Sequence, residues 1–142
     1  MNFKRLESDY APIMLSILRI VSGLIFLEHG TQKLLGFPPP GERGAPEMLS
    51  MGWNAGVIEL ICGTLIVIGL FTRPAAFLAS GTMAVAYWIA HAPQNPFPVL
   101  NGGDAAILYC FVFLYIFFAG PGPWSVDAWR DRRRGFLSRM TR

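Results

Sequence analysis

Ionisable and amide side chains set inside apolar stretches are the features of this chain that could do chemistry. Glu28, His29, Gln32 and Lys33 close one apolar run, Glu59 lies within a second, His91 closes a third, and Asn101 and Asp104 open a fourth. A charge at mid-bilayer costs at least about 2.5 kcal/mol, so such groups persist where they pair, bind or move protons. Imidazole and carboxylate together suit proton transfer near neutral pH. Glu28, His29, Glu59 and His91 are therefore the candidate catalytic, proton-handling set. Arg19, Gln32, Lys33, Asn101 and Asp104 are the candidate substrate-binding groups. Arg19 sits deeper in its run and needs a counter-ion or several backbone carbonyls. No acidic residue stands at its depth, which leaves its partner open.

Each of these residues also has a plainer reading. Lys33 can snorkel to an interface, Asp104 can cap a helix favoured by its dipole, and His91 can be an interfacial side chain. Glu28 and His29 can pair with each other. Glu59 is harder to dismiss, because it lies about 9 Å along its helix from Trp53 and a deep carboxylate must be protonated or paired. Helical geometry places Arg19, Ser22, Phe26, His29 and Lys33 on one face, with Glu28 and Gln32 on another, so the first helix is expected to be central. Gly23, Gly30, Gly56, Gly63 and Gly69 are read as sites of close helix packing.

The elements that carry these residues follow from composition. The 142 residues are 53% apolar and 15% charged, where soluble domains sit near about one quarter charged. Four apolar helices are expected, at about residues 12–35, 53–71, 74–90 and 104–119, each close to the length that crosses hydrocarbon. The chain is thus expected to be all-α, a single four-transmembrane-helix domain over residues 1–142. Thr72-Arg73-Pro74 is read as a tight turn with Pro near the helix start, Pro93, Pro96 and Pro98 as barring helix, and Gly120-Pro121-Gly122-Pro123 as a stop. Lys4, Arg5, Arg73 and six arginines between Arg130 and Arg142 fall on one face, against Lys33 and Arg43 on the other. That asymmetry puts both termini in the cytoplasm and the polar residues in the outer half of the bundle. The basic tail, residues 124–142, is read as a topology signal, not a nucleic-acid interface; Trp124 to Phe136 is expected either to lie along the inner surface against anionic headgroups or to form a loose basic tail. The first span is too long and polar for a cleavable signal. Cys62 and Cys110 show no metal or redox spacing, so they are read as buried small hydrophobes and no metal is expected.

A series of local motifs then resembles a known group. Leu18-Arg19 through His29-Gly30-Thr31-Gln32-Lys33-Leu34-Leu35-Gly36, Glu59, Gly69-Leu70-Phe71-Thr72-Arg73-Pro74-Ala75-Ala76, Met83 to Tyr87 with His91, Asn101-Gly102-Gly103-Asp104, and Gly120 through Asp127 are similar to the DoxX family. The resemblance covers residues 12–128 and implies a four-helix, multi-pass protein of the bacterial inner membrane. It also implies membrane redox chemistry, since relatives include a subunit of a thiosulfate:quinone oxidoreductase and a partner of thiol-redox and superoxide-detoxifying proteins. The expectation is a membrane subunit of a quinone-linked oxidoreductase that binds quinone or a small sulfur substrate. Electrons would come from a soluble or membrane redox partner, because no haem or flavin motif is present. Asp104 stands where the family commonly has Glu, and the lack of paired cysteines argues against disulfide exchange by this chain. The alternatives are a non-catalytic scaffold whose polar cluster is structural, and a small carrier, which four spans would accommodate only as a homo-oligomer.

Overall fold

A computed structural model describes residues 3–41 and 44–140, with side chains from residue 5 to residue 134. Arg43 and Arg142, both used in the charge count, lie outside the described residues, and so do the side chains of Lys4 and Arg139. Among the described residues all regular structure is helical. A short α1, Phe3–Asp9, leads into α2, Ala11–Leu35, and α3, Met51–Ile68. Next come α4, Thr72–Ala86, a π-helical turn Tyr87–His91, α5, Pro98–Asn101, α6, Asp104–Ala119, and α7, Val126–Met140. α2 packs on α3, α3 on α4, α4 on α6 and α6 back on α2, which closes a four-helix bundle.

The bundle is apolar outside and carries polar groups within. Ile17, Val21 and Leu24 of α2, Phe77 and Val85 of α4, and Phe111 of α6 are exposed. Arg19, Glu59, Thr72, Ser80 and Asn101 are buried with Phe26, Ile66, Phe113 and Ile116. A protein in water would reverse much of this arrangement; lipid supports it. α2 and α3 are long and apolar enough to cross a membrane, and α6 is a shorter apolar helix.

The helix ends show where local chemistry overrides apolar content. α3 starts at Met51, two residues before the expected Trp53, because the Ser50 hydroxyl accepts from the Trp53 amide at 3.2 Å. It stops at Ile68, short of Phe71, because Gly69 adopts φ +70° and closes the helix. α4 begins at Thr72, not Pro74. Asp127 of α7 accepts from the amides of Phe71 (3.1 Å) and Thr72 (2.9 Å), so a distant carboxylate caps the helix and Pro74 falls in a first turn that needs no donor. Asp127→Ala should therefore lower stability by about 1–2 kcal/mol, read as a fall in the melting temperature of detergent-purified protein.

Two further expectations give way. Pro98 does not bar helix; it opens α5 at the first turn, where its missing amide proton costs nothing. Asp104 does not cap α6, since Gly103 holds that position and Asp104 is the first helical residue, still favourably placed for the dipole. The third expected helix runs 15 residues as α4 and continues for five more as the π turn. α1 was not expected, because its sequence FKRLESD has no apolar periodicity.

Candidate functional site

Arg19 apart, the expected polar residues are distributed over three places. At the α2–α3 contact, Gly30 and Gly63 bring the backbones together: a Cβ on Gly30 would lie 2.9 Å from Leu60 Cα, and one on Gly63 would lie 2.8 Å from Leu27 Cα. This approach lets Lys33, near the end of α2, reach Glu59 of α3. Lys33 Nζ lies 2.5 Å from Glu59 Oε1. The carboxylate is 3% exposed and the lysine 30%, so the ion pair is buried on the acid side and open on the amine side. Glu59 Oε2 is also buried and has no hydrogen-bond partner among the described residues. A buried carboxylate stripped of its cation is costly, by about 3–5 kcal/mol, so Glu59 depends on Lys33, whereas the part-exposed Lys33 can reach water without Glu59.

Lys33 also forms part of the wall of a cleft of about 1210 Å³. The cleft lies between the first half of α3 (Met51, Ala55, Ile58) and the later turns of α4 (Phe77, Gly81, Val85), and Gln32 and His91 also line it. Phe77, Val85 and Ile89 are exposed, so it opens sideways as well as toward the Gly36–Ser50 loop. Its character is apolar with a few amide, ammonium and imidazole groups at one end, the composition of a small-molecule site.

His91 and Asn101 form the second place. His91 Nδ1 is 3.0 Å from the Asn101 carbonyl oxygen. Asn101 is itself buried and fixed: Nδ2 donates to Asn95 O at 2.7 Å, and Oδ1 accepts from Gly103 N at 2.7 Å. Gln32 donates to Pro39 O at 3.3 Å. Asp104 is exposed at the start of α6.

Glu28 and His29 make the third, on the exposed side of α2. The His29 ring meets Tyr109 of α6 edge-on, with centroids 6.2 Å apart, and Tyr109 stacks on Phe113 at 5.6 Å. Tyr109 lies within electrostatic range of both Glu28 and Glu59. Sequence reasoning passed over it, because a tyrosine in an apolar helix reads as core.

Arg19 belongs to none of these. It is fully buried in the first half of α2, where Nε donates to Pro121 O at 2.7 Å and Nη1 to Val67 O at 2.7 Å. Nη1 also meets Ile66 O, and Nη2 meets Trp124 O. Its partner is thus a set of carbonyls from the end of α3 and the loop after α6. Arg73 acts in the same way at the end of α6, donating to the carbonyls of Phe117 and Phe118. With Asp127 these arginines clasp one end of the bundle, while the cleft and the Lys33–Glu59 pair occupy the other.

A helical bundle with an apolar exterior, a buried ion pair and a side cleft is an integral membrane protein with a ligand-sized recess. The family model for DoxX matches residues 14–92, more than half of the chain, and the protein belongs to the DoxX family. It is 43% identical over 126 residues to an uncharacterized protein of Haemophilus influenzae, covering 83% of this chain and 91% of that one. It is 33% identical over 127 residues to the inner membrane protein YphA of Escherichia coli, covering 82% and 89% of the two. An uncharacterized membrane protein of Mycobacterium tuberculosis is 29% identical over 158 residues, covering 93% and 90%. No solved structure matches.

Proposed function

We propose that the chain is a multi-pass protein of the bacterial inner membrane, with four spans and both termini cytoplasmic, that serves as the membrane subunit of a redox system and binds a quinone in its cleft. The topology draws on the bias of basic residues toward the termini and the α3–α4 turn. It also draws on the unbroken run of α4 into the π turn. At about 1.5 Å per residue the 16-residue α6 is the shortest span, which local thinning or tilt of its neighbours accommodates. α7, with Trp129 exposed, Trp124 exposed just ahead of it and Arg130 over the Phe71 ring at 5.8 Å, lies along the inner surface against anionic headgroups.

The observation that carries the ligand reading is Lys33, which lines an apolar cleft while paired with the buried Glu59 behind it. The residues present fit a quinone. Met51, Ala55, Ile58 and Val85 suit an isoprenoid tail, and the remaining N–H donors of Lys33 suit a carbonyl oxygen. Bound there, a quinone would supply two-electron, two-proton carrier chemistry, with electrons from a partner protein. Lys33 orients the ligand, and the Glu59 carboxylate, with Oε2 free, is the nearest proton store. His91 is the proton-handling group on the same cleft. Glu28 and His29 serve at most as an outer relay through Tyr109.

Purification in mild detergent, followed by solvent extraction and mass analysis, tests this reading. The wild-type protein should carry quinone, and Glu59→Gln should lose it by tenfold or more without loss of folded yield. The rival reading, a scaffold held by its polar groups, predicts reduced yield in Glu59→Gln and no bound ligand in either form.

A further inference from the structure

We infer that His91 presents a proton-acceptor nitrogen to the cleft, so that the site prefers the hydroxyl-bearing quinol to the quinone and reverses this preference on acidification. The inference rests on the quinone reading of the cleft and adds which redox form is held. A backbone carbonyl only accepts, so the contact between His91 Nδ1 and Asn101 O requires the proton on Nδ1. In the neutral ring Nε2 then carries the lone pair. The acceptor of that proton is held in place by the buried Asn101 side chain, bonded on both its amide nitrogen and its oxygen. The π turn Tyr87–His91 completes the arrangement. The Ala92 amide bonds back to Tyr87 O at 2.9 Å, and this wider turn carries His91 to the rim of the cleft, which it lines with Lys33.

The two walls therefore differ in kind. Lys33 offers only donors, and neutral His91 offers an acceptor at Nε2. A quinol hydroxyl can donate to Nε2, whereas a quinone carbonyl cannot. Protonation turns Nε2–H into a donor, which suits the carbonyl and leaves the hydroxyl only its weaker acceptor role. The other titratable groups toward this end are Tyr87 on the same turn, Lys33 with Glu59 across the cleft, Glu28 and His29 on the later turns of α2, Glu47 in the loop after it, and Asp104 and Tyr109 on α6. His91→Gln leaves all of them in place.

The test uses the full-length protein in nanodiscs under anaerobic conditions, with decyl-ubiquinol and decyl-ubiquinone as probes between about pH 8 and pH 5, the range in which imidazole changes charge. Quinol should bind about three- to tenfold tighter than quinone at the alkaline end, the worth of one hydrogen bond, and this ratio should invert at the acid end. In His91→Gln, whose amide offers either role, the ratio should stay near one throughout. A pH-independent ratio in the wild type would overturn the inference while leaving quinone binding intact. A ligand-free readout judges it separately. Nitrogen-15 NMR of the histidine ring should show the proton on Nδ1 at neutral pH, and a proton on Nε2 would overturn the inference whether or not either probe binds.

Discussion

Replacing Arg19 with methionine is expected to destabilise the bundle by at least about 3 kcal/mol. The guanidinium is fully buried, and its donors go to the carbonyls of Ile66, Val67, Pro121 and Trp124. Methionine fills much of the volume but donates nothing. Val67, Pro121 and Trp124 would then lose the donor that Arg19 supplies to their carbonyls, and Ile66 O would keep only the Gly69 amide at 3.2 Å. Lysine at this position keeps the charge but cannot direct donors to carbonyls on both sides, so it should fall between methionine and wild type. Thermal unfolding in detergent, followed by the monodisperse fraction that survives heating, reads the effect. An Arg19→Met protein as heat-resistant as the wild type would show that the clasp contributes nothing.

Gly30→Leu should be nearly as damaging, by about 3 kcal/mol, and for a steric reason. A Cβ at Gly30 would lie 2.9 Å from Glu59 C and from Leu60 Cα, so backbone, not a movable side chain, blocks it. The helices must part, and Lys33, one turn further on, would be drawn away from Glu59. Loss of stability should therefore be accompanied by loss of any ligand held at that pair. Gly81 supplies the contrast, since nothing lies within 4 Å of the Cβ it would carry. Gly81→Ala should stabilise α4 by up to about 1 kcal/mol.

The sequence made the bundle's four long helices legible, because hydropathy and breakers such as Gly69 and Gly120 act locally. Ends set by distant residues were not legible. Nothing near Thr72 announces that Asp127, more than fifty residues away, will cap it. The same limit applied to the polar groups. The depth of Glu59 and its need for a partner could be read from its position, yet choosing Lys33 over His29 or Glu28 required the α2–α3 register that Gly30 and Gly63 impose. Arg19 was recognisable as buried, and its alternative of several carbonyls was stated, but the loop after α6 that supplies two of them folds back only in three dimensions. Tyr109 and the tautomer of His91 left no mark in one dimension, because both depend on which ring or carbonyl a neighbouring helix brings into reach.

The proposed function requires a ligand in the cleft that Lys33 lines. Gly81→Phe tests it most directly, because Gly81 lines the cleft and has nothing within 4 Å of where its side chain would begin. Quinone extracted per molecule of purified protein should fall at least tenfold in Gly81→Phe while its melting temperature stays at or above that of the wild type. Undiminished quinone in a stable Gly81→Phe protein would contradict the account.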